Sequence, residues 1–364
     1  MNGKQVLTIA GAYVGVVVGA GFASGQEILQ FFTYFGWWGT LGSVIAGLLF
    51  AWFGYQLLRL GSDVKAASHK QAIHQISGKY IGWIMDIVVT FFLFGVAGIM
   101  LAGGGAVLNQ QFGVPVTLGS IIILVLTILT LLLKMEKMIS VISLFTPFLL
   151  IAVLTITLVS YLYMNKDLSV MNSFASPEKA ASSNWFFGAL LYVSYNLAAT
   201  APILITMGGG VSYNKKSLGL GGLLGGATLG LLVLTIHLGM MSKLDQLAGV
   251  ELPTLFMANQ LLPWLAPILS IVILGMIFNT AVGMLYTFTT RVVSPTSAKF
   301  KFALILSGIL AYISSLAGFS KLVGTVYPVM GYLGFLLMGA VVVTWFRVKI
   351  RKETSMNVAV NQSN

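Results

Sequence analysis

Apolar stretches long enough to cross a lipid bilayer recur from one end of this 364-residue sequence to the other. A span needs about twenty mostly apolar residues. Ten segments meet that demand: Val6–Phe32, Gly36–Leu60, Tyr80–Leu108, Val116–Leu133, Ile139–Met164, Asn184–Met207, Ser217–Met241, Trp264–Thr290, Phe300–Phe319 and Leu322–Val348. Each is expected to be a helix, because hydrocarbon offers backbone groups no partner outside their own segment and leaves no place for an open sheet edge. Charge agrees with this reading. Only 8% of the residues are charged, against about a quarter in soluble domains, so the chain reads as an all-α polytopic membrane protein. The absence of cysteine removes disulfides and thiolate chemistry.

The net charge of +11 would suggest nucleic acid in a soluble chain. Here the bases sort by loop. With the N-terminus in the cytoplasm, sixteen of the twenty fall inside: Lys4, the Arg59–Lys79 group, Lys134 and Lys137, Lys215 and Lys216, the Arg291–Lys301 group, and the Arg347–Lys352 group. Lys166, Lys179, Lys243 and Lys321 fall outside. That bias is the positive-inside rule. It predicts ten spans in the cell membrane with both termini cytoplasmic and no nucleic-acid partner.

Two spans carry poor material for a continuous lipid-facing helix. The first contains Val18-Gly19-Ala20-Gly21-Phe22-Ala23-Ser24-Gly25-Gln26-Glu27, and glycine is costly in a helix interior. The sixth contains Ser194-Tyr195-Asn196-Leu197-Ala198-Ala199-Thr200-Ala201-Pro202, where Pro202 lacks an N–H and crowds the preceding turn. Each break opens a set of five spans, and an odd number per set makes the second set enter the membrane from the other side. The expected organisation is a first inverted repeat over 1–165, a second over 166–350 and a cytoplasmic tail over 351–364. Interrupted helices at matching places of two inverted halves point to a transporter's binding site. Gly11, Gly15 and Gly19 form an i, i+4 stripe suited to helix contact.

Ten helices in a five-plus-five inverted repeat, broken at one and six, resemble the LeuT fold of the amino acid–polyamine–organocation superfamily. The segment Val18–Glu27 is similar to the signature of the YkvI-type putative amino acid permeases. The resemblance implies a sodium ion between helix one, through carbonyls of Gly15 and Val18, and helix eight, through the segment Met276-Ile277-Phe278-Asn279-Thr280. There Met276 would give a carbonyl and Asn279 and Thr280 side-chain oxygens. Asn279 departs from the family's usual hydroxyl. Position in the same fold also implies a helical lid at Thr254–Leu262, bounded by Pro253 and Pro263.

The residues in or beside the two breaks are the candidate substrate site: Gly19, Ala20, Gly21, Phe22 and Ser24 on the first span, and Tyr192, Tyr195, Asn196 and Thr200 on the sixth. Phe91, Phe92 and Phe94 could wall it, or simply pack. Glu27 follows the first break and is the acid expected to matter, as a proton carrier, a partner for a cationic substrate or a gate. An exposed vestibule position is the alternative. Asp86 is expected to pair with Lys79 at the inner end. His237 reads as a hydrogen-bonded packing residue, and His69 and His74 as part of a cytoplasmic loop over Ser62–Lys79.

No Walker-type run occurs and no paired carboxylates share a span, so neither an ATPase nor an enzyme is expected. The function implied is secondary active transport of a small solute, an amino acid or a related compound, coupled to sodium or protons. No cofactor is needed beyond a coupling Na+. The partners expected are the solute and membrane lipid, with the chain a monomer or a weak homo-oligomer. The alternative is a receptor of the same fold that binds a nutrient without moving it.

Overall fold

The computed structural model describes residues 2–64, 69–132, 146–163, 167–210 and 214–363, with their side chains except at 64–85, 146–149 and 347–363. Fourteen α-helices follow one another among the described residues, and no strand occurs there. They are α1 Gly3–Val17, α2 Ala20–Ser24, α3 Gln26–Phe31, α4 Trp37–Val64, α5 His69–Phe112, α6 Val116–Leu132, α7 Thr146–Leu162 and α8 Leu168–Asn172. Then come α9 Trp185–Gly209, α10 Lys215–Met241, α11 Pro253–Leu261, α12 Ala266–Val292, α13 Phe300–Ser315 and α14 Phe319–Ser363. Six of them are apolar and long enough to cross a bilayer: α4, α9, α10, α12 and parts of α5 and α14. Shorter apolar helices occupy the other predicted places, at Gly3–Val17, Val116–Leu132, Leu150–Leu162 and Phe300–Ser315.

The helices assort into two groups. In one, α10 lies along α4 and α1, and α9 packs on α4. Glycine makes the first contact possible, because a β-carbon on Gly230 would strike the backbone of Gly47 across the interface. In the other, α5 is the central rod, with α6, α12, α13 and α14 laid against it. The helix α14 also reaches across to α9, where Gly331 and Gly334 approach Leu191 and Ser194.

The predicted first span is divided, as its glycines suggested. Helix α1 stops at Val17, and Val18 and Gly19 adopt extended backbone before α2 begins. Gly25 then takes φ +79°, the left-handed region that favours glycine, and separates α2 from α3.

The sixth span departs from expectation. It is one continuous helix, α9, with Pro202 inside it. Local side chains hold its carbonyls on the N-terminal side of the proline: Asn196 Nδ2 donates to the Tyr192 carbonyl at 2.9 Å and Thr200 Oγ1 to the Asn196 carbonyl at 2.9 Å. Pro202 removes one N–H from the helix, the one that would bond the Ala198 carbonyl a turn back, and a membrane helix tolerates a single such loss. The break expected at Asn196–Pro202 is therefore a single missing donor.

Two smaller expectations are also corrected. Gly11, Gly15 and Gly19 do not form a close helix contact: a β-carbon at any of them would meet open space. The segment read as a loop over 62–79 is helical at 62–64 and again from His69 onward, and the side chains from Val64 on lie outside the described residues. Helix α14 runs on through the residues expected as the tail, to Ser363.

Candidate functional site

The opened stretch of the first span faces a cavity of about 230 Å³ between the two helix groups. One group contributes Gly15–Gly21 and Glu27, together with Tyr195, Asn196, Ala199 and Thr200 of α9. The other contributes Phe92, Val96 and Met100 of α5 and Met276, Asn279, Thr280 and Met284 of α12, and Tyr327 of α14 closes the ring. Liquid water occupies about 30 Å³ per molecule, so this volume matches about eight waters and suits a small solute.

Most of the sequence-derived residues meet here. Gly19, Ala20, Gly21, Tyr195, Asn196 and Thr200 line the cavity, and so do Gly15, Val18, Met276, Asn279 and Thr280. Three do not. Phe22 is buried away from it. Ser24 turns back to the Gly21 carbonyl at 2.7 Å and accepts from the Gln26 N–H at the α2–α3 joint. Tyr192 lies behind the wall, packed against Phe31, Phe32, Phe50 and Tyr195 with ring centroids 4.9–5.9 Å apart. Of the three phenylalanines proposed as walls, Phe92 lines the cavity, whereas Phe94 packs on Phe288 and Phe91 is exposed.

Glu27 is 5% exposed, which excludes the exposed vestibule position. The Tyr195 hydroxyl donates to its Oε2 at 2.5 Å. Tyr327, whose ring stacks on Tyr195 with centroids 4.6 Å apart, reaches the same carboxyl group. Gly21 completes the seat: a β-carbon there would overlap the Glu27 carboxyl group. The glutamate was legible from its place after the break. Tyr327 was not, because it is contributed by the tenth span, far along the chain, and nothing local marks it.

At the other side of the cavity, α1 ends with carbonyls to spare. The Val18 N–H bonds back to Val14, and among the described residues no backbone N–H bonds back to Gly15, Val16 or Val17. The negative end of the α1 dipole thus points at this space. Facing it, Asn279 Oδ1 is buried with no hydrogen-bond partner, an arrangement that normally calls for a donor or a cation.

The two ends of the cavity differ. Toward the N-terminus, Gly11 and Gly15 are exposed and Gly283 of α12 has open space before it. The opposite end is sealed by the predicted lid, which is α11. Thr254 Oγ1 donates to the Ala23 carbonyl at 2.6 Å, and Gln110 Nε2 donates to the Leu252 carbonyl at 3.1 Å. A buried amide cluster lies beside it. Gln26, with its amide oriented to satisfy its neighbours, donates to the Val250 carbonyl at 3.1 Å and accepts from Gln30 Nε2 at 2.7 Å and Ser320 Oγ at 2.6 Å. Sequence reasoning missed these glutamines. Glu251 in the same loop bonds the N–H groups of Phe319 and Ser320 at the start of α14.

Two other groups have structural partners. His237 is buried with Nδ1 3.2 Å from Thr33 Oγ1 and Nε2 2.9 Å from Thr40 Oγ1, the hydrogen-bonded packing position expected of it. Asp86 pairs with Arg291 of α12 at 3.7 Å; the side chain of Lys79, its expected partner, lies outside the described residues.

No family model matches the sequence. The chain is similar to two Bacillus subtilis (strain 168) proteins. One is an uncharacterized membrane protein, YkvI, 29% identical over 91% of this chain and 94% of that one. The other is the uncharacterized protein YyaD, 25% identical over 89% of this chain and 92% of that one. Among solved structures, the inward-facing conformation of Mhp1 superposes with a TM-score of 0.54 at 13% identity, covering 90% of this chain and 73% of that one. A variant of the Eremococcus coleocola manganese transporter gives 0.51 at 17% identity, covering 86% and 69%. The chain is a membrane protein with the LeuT fold, and the likeness to YkvI that its first span suggested extends along nearly its whole length.

Proposed function

We propose that the protein is a secondary active transporter that carries a small solute, an amino acid or a related compound, by alternating access. The observation that carries this reading is the asymmetry of the cavity. It is closed under the α11 lid by the Thr254–Ala23 bond and open along the glycine face of α1. A site reachable from one side only, between two helix groups, is what a rocking mechanism requires. In this reading the two groups exchange which end is open, the cavity sits near the middle of the cell membrane, and the open end faces the cytoplasm, where both termini lie. Units 1–165 and 166–350 act as the two inverted repeats, and the chain works as a monomer or weak homo-oligomer.

Coupling to sodium is part of the proposal, with protons as the alternative. The free carbonyls at the end of α1, the unpartnered Oδ1 of Asn279 and the hydroxyl of Thr280 form an all-oxygen set of the kind hard cations take. The test is counterflow in proteoliposomes. Vesicles loaded with an excess of unlabelled solute should accumulate labelled solute transiently, and more so with sodium present. Saturable binding to the purified protein without exchange would replace the transporter with a receptor.

A further inference from the structure

The polar inventory of the cavity is one-sided. Among the described residues no lysine, arginine or histidine lines it, and Glu27 is its one formal charge. No ion pair involves Glu27 among those residues. Its neighbours are phenols, which donate hydrogen bonds to a carboxylate but leave its charge uncompensated. A buried, unbalanced charge is costly unless a counter-charge arrives.

The side-chain donors beside Glu27 are meanwhile engaged: Tyr195 donates a hydrogen bond to Glu27, Asn196 Nδ2 to the Tyr192 carbonyl and Thr200 to the Asn196 carbonyl. Beside the neutral N–H groups of Gly19, Ala20 and Gly21 at the start of α2, what faces the cavity is a set of acceptors that includes its one charge: the Glu27 carboxyl group, the α1 carbonyls and Asn279 Oδ1. An anionic solute would meet the Glu27 charge with no cationic side chain to offset it. An ammonium group brings up to three N–H donors and one positive charge. The walls suit such a guest as well, because the stacked Tyr195 and Tyr327 rings and Phe92 present π-systems that attract cations.

We propose that the solute carried by this cavity is a small organic cation, an amine lacking a carboxylate, whose protonated nitrogen is held by Glu27 beneath the Tyr195–Tyr327 stack. The inference rests on the transporter reading and narrows its solute from amino acids in general to amines. It assigns Glu27 the role of counter-ion to the solute rather than of proton carrier.

A matched series tests it on the full-length purified protein at neutral pH and constant ionic strength: butylamine, butanol, α-aminobutyrate and butyrate, nearly equal in size and different in charge. Thermal stabilisation should be greatest for butylamine, since a ligand of the native state raises stability by mass action. Glu27→Gln should weaken butylamine binding by on the order of 10- to 100-fold, the value of a hydrogen bond to a charged group. Glu27→Asp should restore part of it. Butylamine protecting no better than butanol overturns the proposal, and that comparison needs no variant. So does α-aminobutyrate protecting best, or Glu27→Gln leaving the ranking intact, or sodium and acid stabilising the protein without competing with butylamine. Counterflow separates the two readings: amine binding without exchange removes the transporter and leaves the cation site, whereas exchange of a zwitterion by Glu27→Gln removes the cation site and leaves the transporter.

Discussion

The Glu27 carboxyl group fills the space that a β-carbon on Gly21 would take, and that gives the site its sharpest test. The backbone of Gly21 is not left-handed, so alanine fits its conformation and should favour α2 by about 1 kcal/mol. The added β-carbon, however, would overlap the Glu27 carboxyl group. The carboxylate must then leave Tyr195, forfeiting a hydrogen bond to a charged group, about 1.5–3 kcal/mol. The net expectation for Gly21→Ala is a loss of about 0.5–2 kcal/mol, the difference of those two effects. In a Glu27→Ala background the obstacle is gone, and Gly21→Ala should be neutral or stabilising by up to about 1 kcal/mol. A double-mutant cycle on unfolding in detergent reads the difference as a coupling of about 1.5–3 kcal/mol, toward the upper end for residues in contact. If the two substitutions add within about 0.5 kcal/mol, the usual scatter for independent sites, Glu27 does not rest on Gly21 and the geometry of the seat is wrong.

Two further outcomes are expected. Thr280→Ala should lower sodium affinity, measured by sodium-dependent stabilisation, on the order of tenfold for the loss of one charge-assisted contact; an unchanged affinity removes the proposed cation site. At the lid, burial raises the Glu251 pKa above its ordinary 4.5, while the N–H groups of Ser320 and Phe319 pull it down. A carboxyl group with a raised pKa holds its proton more tightly when packed than when free. The closed lid is therefore favoured below the ordinary value and loses that advantage as pH rises through the raised one. Hydrogen exchange of the Pro253–Leu261 amides should accordingly quicken as pH rises through that window, after correction for intrinsic rates, and Glu251→Gln should flatten the trend. The same slope in both proteins would refute it.

The helical membrane fold was legible because hydrocarbon leaves so few options. Ten apolar stretches and sixteen bases on alternate loops locate the spans without any knowledge of packing. The opening in the first span was legible too, since Gly19 and Gly25 mark the two points where α2 is cut off from its neighbours. What escaped was everything set by contacts between distant elements. The Gly11-Gly15-Gly19 stripe has the spacing of a packing face, yet it borders open space because the helices around it are arranged with that end of the cavity open. Tyr327, Gln26, Gln30 and Ser320 carry no local signature. Their roles arise only when α14 comes to rest beside α3.

The continuity of α9 changes how the site handles charge. Two opened helices would offer two half-helix ends to a solute. Here only the first span opens, and Pro202 costs α9 a single donor rather than a turn. The long dipole directed at the cavity is the C-terminal, negative end of α1. The positive counterpart comes only from α2, five residues long and without a side-chain cap, and dipole strength at an end depends on the aligned peptides behind it. The backbone therefore adds negative potential to a space whose one formally charged wall residue, among the described residues, is already an acid. Backbone and side chain favour the same sign of guest. A solute carboxylate would have to overcome both, whereas a cation, whether coupling ion or amine, is drawn in by both.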